Sequence, residues 1–115
     1  MGFEQFTYKR LEALTDELVE KRRPPVHVRA ELDISFRIEG QSVIIFTIRP
    51  EWKDPDKKME SMIAKCTFVR TKNVWKIYWQ RADLKWHLYE PASEVDRFEE
   101  FLSIVDEDAL GCFWG

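Results

Sequence analysis

The chain has 115 residues, with 18 Lys and Arg against 21 Asp and Glu, a net charge of −3. Its 44% hydrophobic content, five Trp, eight Phe and three Tyr exclude a disordered chain, and its length excludes two domains, so one domain over 1–115 is expected. No apolar run reaches the roughly 18 residues of a membrane span, and Cys66 and Cys112 are too few for a disulfide framework or a zinc knot and read as reduced thiols.

Residues 4–23 read as a helix. Phe3, Phe6, Leu11, Leu14 and Leu18 recur at roughly helical spacing, Lys21, Arg22 and Arg23 crowd the end where cations suit the helix dipole, and Pro24-Pro25 stops it. A sheet is predicted over 28–90. Its first strand, 28–38, alternates Val28, Ala30, Leu32, Ile34, Phe36 and Ile38 with polar residues, the pattern of one buried and one wet face. Glu39-Gly40-Gln41 turns the chain. The next strand, Ser42 to Arg49, is apolar on both faces, as a central strand covered from both sides would be.

A polar loop, expected to be mobile, follows over 51–61. Strands are predicted from Met62 to Arg70, from Val74 to Arg81 and from Trp86 to Glu90, with turns at Thr71-Lys72-Asn73 and Ala82–Lys85. In the first of these, Met62, Ala64, Cys66 and Phe68 should face inward. In the second, Trp75, Ile77 and Trp79 share one face and Lys76, Tyr78 and Gln80 the other. A second helix is predicted over 93–105, with Ser93 as its N-cap and Val95, Phe98, Leu102 and Val105 as its apolar stripe. Asp106-Glu107-Asp108 then puts acid at the wrong end of the helix dipole, which requires an early stop or a nearby basic partner. Phe113 and Trp114 are too apolar for a free tail and should dock on the sheet. No connection is long enough for a crossover helix, so the class is α+β: an N-terminal helix, an antiparallel meander of four to five strands and a C-terminal helix, both helices on one face.

Gly40-Gln41-Ser42-Val43, Arg49-Pro50-Glu51-Trp52, the run from Tyr78 to Tyr89 and the terminal Gly111-Cys112-Phe113-Trp114-Gly115 together resemble a family of short bacterial proteins catalogued as a domain of unknown function. The resemblance covers nearly the whole chain. It implies a fold and no activity. Thr47 stands two residues before the Arg49-Pro50 pair, where that family often carries an acidic residue, and this weakens a carboxylate-based metal reading.

Charge is unevenly spread. Residues 53–89 carry nine positive and four negative charges, and residues 90–115 carry one and eight, so the basic and acidic blocks could neutralise each other across the surface. Within the basic block, cations interleave with rings. Lys76, Tyr78, Arg81, Lys85, Trp86, His87 and Tyr89, extended by Arg49 and Trp52, form a candidate binding surface. Exposed rings there would stack on bases for roughly 1–3 kcal/mol each, and the cations would contact phosphates. A non-enzymatic cytoplasmic binding module with an acidic partner is the leading expectation, and a single-stranded nucleic-acid binder is the alternative. A third reading is a metal-dependent, nuclease-like hydrolase using Glu31, Asp33 and Lys65. No Gly-rich phosphate loop is present, no catalytic set or metal site is assigned, no cofactor is expected, and no membrane partner or leader segment is read at the N-terminus.

Overall fold

The computed structural model describes residues 2–114. Helix α1 (Gln5–Arg22) starts where the Glu4 carboxylate accepts the backbone N–H groups of Phe6 and Thr7, at 2.9 and 2.6 Å. It buries Leu11, Thr15, Leu18 and Val19 and ends before Pro24. Phe6, assigned to the stripe from spacing, is 78% exposed, whereas Phe3 stacks on Trp75 with ring centres 5.6 Å apart.

The first strand begins later than its alternation suggested. Residues 26–28 form a 3-10 turn, Leu32 N–H bonds back to Val28, and β1 is Asp33–Glu39. The reason lies in the partner. Asp33 faces Ile48 of β2 (Ser42–Pro50), so a β1 extended by two residues would set Glu31 against Pro50, which has no N–H to give and ends β2. Gly40, at φ +55°, makes the tight connection between the two strands.

Strand β3 is Lys58–Val69, so 58–61, expected in a mobile loop, is strand. Residues 51–57 close the hairpin through the hydrogen bond from Glu51 N–H to the Lys57 carbonyl, 2.8 Å. β4 (Val74–Gln80) and β5 (Trp86–Leu88) complete an antiparallel meander ordered β1-β2-β3-β4-β5, and β6 (Glu94–Val95) pairs with β4 at Trp75 and Lys76. The second helix, α2, runs Phe98–Glu107 rather than over 93–105. Ser93 does not cap it. The Ser93 carbonyl accepts the Ile77 N–H at 3.0 Å, and β6 follows directly, so the chain pairs with β4 before α2 can start.

Both helices lie on one face of the sheet. Cross-strand partners share a face, so the registers place Ile38, Val43, Cys66 and Ile77 in one buried row and Phe36, Ile45, Ala64, Trp79 and His87 in the next. Leu11, Phe98, Phe101 and Val105 close over them. Cys66 is fully buried, and desolvation pushes its thiol well above the usual range, which leaves it inert.

The acidic end of α2 finds its basic partner. Asp106 accepts from Lys21 at 2.5 Å and from Arg22 at 3.1 Å, at the end of α1. Asp108 is the left-handed C-cap, φ +45°, and its carboxylate accepts the N–H groups of Phe113 (3.0 Å) and Trp114 (2.9 Å). The tail is thereby folded back. Phe113 packs on Tyr89, but Trp114 docks on the helices rather than the sheet: its Nε1–H bonds the Val105 carbonyl at 2.9 Å, and Arg22 lies 4.5 Å over its ring.

Two outcomes follow. Asp108→Ala removes two charge-assisted hydrogen bonds and leaves a β-carbon in a left-handed site without local bonding, so urea denaturation should show a loss on the order of 3 kcal/mol. The Asp33 carboxylate is held low, first by its hydrogen bond to Arg23, and Asp106 first by Lys21. Their folded values lie below the unfolded ones, so their stabilisation is present above about pH 4 and is lost as pH falls through the folded values. Melting temperature should drop on acidification in that window, and Asp33→Asn with Asp106→Asn should flatten the drop while lowering stability at pH 7.

Candidate functional site

Among the described residues no helix covers the other face of the sheet. The registers set one row of side chains across all five strands of the meander: Arg37, Ile44, Lys65, Tyr78 and Leu88. A polar row, Glu39, Ser42, Thr67, Lys76 and Glu94, lies on one side of it, and Phe46, Met62, Gln80 and Trp86 lie on the other. Met62 reaches this face because the register shifts between Ile45 and Phe46, which reverses the inward direction expected for it. β2 is thus apolar on both sides, but only one side is covered by helices.

Cation stems roof the second apolar side. The Arg37 guanidinium lies 4.7 Å over the Phe46 ring and pairs with Glu39 and Glu60, at 2.8 and 2.9 Å. The Glu39 contact is off-line, an ion pair rather than a hydrogen bond, and Arg37 Nε has no hydrogen-bond partner among the described residues. Lys65 Nζ lies 4.9 Å from the Tyr78 ring centre and 5.1 Å from that of Trp86. Its apolar stem covers the sheet while its charge sits on two ring faces. Desolvation lowers its pKa, against a smaller raising effect of Glu39. Among the described residues neither Lys65 nor Lys76 has a carboxylate within ion-pair distance.

At the β4–β5 end, a cleft of about 570 Å³ wraps the short edge strand. Trp79, Arg81, Trp86, His87, Tyr89, Leu110 and Cys112 contribute to its lining. Asp83, in the β4–β5 turn, accepts the Lys85 N–H at 2.9 Å and lies 2.9 Å from His87 Nε2; these bonds, the backbone one first, hold its carboxyl below the usual range. An ionised Asp83 can only accept, so the hydrogen is on Nε2 and Nδ1 is the ring's other functional atom. Arg81 lies 5.4 Å over the Trp79 ring.

The nine residues chosen from sequence are therefore not one surface. Lys76, Tyr78 and Trp86 stand on the open face, half-buried, and Arg81 and Lys85 flank its β4–β5 end, exposed. His87 points to the helix side, opposite Trp79. Tyr89, expected in the binding surface, is a core residue 4% exposed, its ring tilted against Phe113. Arg49 and Trp52 lie at the far tip of the β2–β3 hairpin, with Arg49 about 17 Å along β2 from the Ile44–Lys65 row. Trp52 is 83% exposed, with Lys53 5.3 Å over its ring. Arg37, Ile44, Phe46 and Lys65 were missing from the set, because they join it only through strand register.

The proposed hydrolase residues are not assembled either. Arg23 holds both oxygens of Asp33 at 2.8 Å, and Glu31 lies exposed in the turn before β1. The ladder separates Asp33 from Lys65 by about 13 Å along the strands. No group of three potential metal ligands occurs among the described residues. No helix among them is long and apolar enough to cross a membrane.

Residues 3–115 match the family model described as a domain of unknown function (DUF3024). The chain belongs to this family. No curated protein and no solved structure matches it.

The roofing of the open face generates a measurable expectation. Lys65→Ala strips the stem from Ile44, Tyr78 and Trp86 and should raise binding of a hydrophobic dye, whereas Lys65→Met keeps the stem and should leave dye binding and stability within about 1 kcal/mol of wild type.

Proposed function

We propose that this member of the DUF3024 family is a non-enzymatic binding module of the bacterial cytoplasm. It meets an anionic partner on the open sheet face around Lys65, Lys76, Tyr78 and Trp86. The observation that carries this reading is where the acidic tail goes. Asp106 is engaged by Lys21 and Arg22, Glu99 by Arg10, and Asp108 by backbone N–H groups; of the open-face side only Lys72 meets the tail, at Glu94. Lys65, Lys76, Arg81 and Lys85 form no direct ion pair among the described residues, although Glu39 acts on Lys65 and Asp83 on Arg81 from further off, and all four lie beside half-exposed rings. Unpaired cations next to rings and a shallow apolar floor favour a negatively charged surface or strand over a neutral one.

A second reading, that the anion is single-stranded nucleic acid, is favoured by Tyr78 and Trp86 sharing this face two ladder steps apart with Lys65 against both rings. Titration of a labelled single-stranded oligonucleotide and of poly-glutamate at low and moderate salt separates the two. At least one should bind and weaken as salt rises, and Lys65→Gln with Lys76→Gln should weaken it roughly tenfold or more. Tyr78→Ala should cost about 1–3 kcal/mol with the oligonucleotide and little with poly-glutamate. If neither polyanion binds at low salt, the proposal is wrong.

A further inference from the structure

The cleft beside β5 has features that the open face does not need. Its volume, about 570 Å³, suits a small organic molecule rather than a macromolecular surface. Tyr89 lines it although only 4% exposed, and its hydroxyl has no hydrogen-bond partner among the described residues. It is not among the sealed, unbonded polar atoms, so it reaches the cleft and can donate to a group that enters it. Desolvation, with smaller contributions from Cys112 and Asp108, raises its pKa, so it is present as a neutral donor. The Arg81 guanidinium, held over Trp79, is a cation of the lining that makes no direct ion pair among the described residues, with Asp83 close enough to feel its charge. His87, oriented by Asp83, directs Nδ1 as its remaining functional atom.

We propose that this cleft binds a small organic anion, a carboxylate on a flat apolar body. Arg81 and the Tyr89 hydroxyl take the carboxylate, and Leu110 and the neighbouring rings take the body. Glu90, an exposed carboxylate in the same lining, offsets part of Arg81's attraction for a bare inorganic ion. An apolar body adds burial that such an ion cannot, which selects the organic acid. The proposal stands on the cleft alone and does not depend on the open-face reading.

Cys112 supplies a reporter already in place. It lines the cleft and is half-buried, while the other thiol, Cys66, is sealed in the core. Iodoacetamide labelling of Cys112, followed by mass spectrometry, is measured with 2-naphthoate and with its neutral counterpart 2-naphthamide. Naphthoate should slow labelling by about fivefold or more at saturation, and naphthamide should bind roughly tenfold more weakly. Arg81→Gln and Tyr89→Phe should each weaken naphthoate protection, and Lys76→Gln, on the open face and outside the lining, should leave it unchanged. Leu110→Trp, at an exposed position, fills the cleft and should abolish protection even if a Tyr89 variant unfolds. Absence of protection by naphthoate, equal protection by the amide, or full protection surviving in Arg81→Gln overturns the proposal. Loss of polyanion binding with intact naphthoate protection would refute the open-face reading alone.

Discussion

A strand has two faces, and in this chain only one of them is covered. Period-two alternation sends every second side chain of the meander toward α1 and α2 and the others away from them. Two helices on one side are enough to seal Val43, Ile45, Ala64, Cys66 and Ile77 completely. Nothing comparable covers Ile44 and Phe46, yet both are buried, because Arg37 and Lys65 lay their stems across the sheet and their charges over rings. This covering is made of side chains and not of a second layer of secondary structure.

Electrostatics follow from the same arrangement. A chain with a strongly acidic end and a basic middle could have folded the one onto the other. The acids instead serve the helix layer: Asp106 satisfies the basic end of α1, Glu99 meets Arg10, and Asp108 caps α2 while holding the terminal aromatic residues down. The open face keeps its own mixture: Arg37 meets Glu39 and Glu60, Lys72 meets Glu94, and Lys65 and Lys76 form no ion pair among the described residues.

Much of this architecture was legible from spacing. The first helix, the antiparallel order, the face assignments along β4 and the need for a cation near Asp106 all rest on local rules, and local rules suffice for them. The failures are non-local. Alternation over 28–32 had no strand to pair with, because Pro50 blunts the opposite ladder. Ser93 had good capping chemistry but was claimed by Ile77 of β4. The candidate site suffered in the same way: residues adjacent in sequence from Arg81 to Tyr89 scatter over two faces and a cleft, while Arg37, Ile44, Lys65 and Tyr78 converge from four strands. Register, set by bulges and turns acting together, decides that convergence, and no single window of sequence contains it.

The central claim, that the sheet has one face sealed by helices and one roofed only by cation side chains, can be measured without knowing any partner. A soluble gadolinium chelate broadens NMR signals according to their distance from solvent. The side chains of Lys65, Tyr78 and Trp86 should broaden strongly, and those of Val43, Cys66 and Ile77, their neighbours on the same strands, should be spared. Equal protection of both sets at low protein concentration would show that the second face is covered, and would contradict the account.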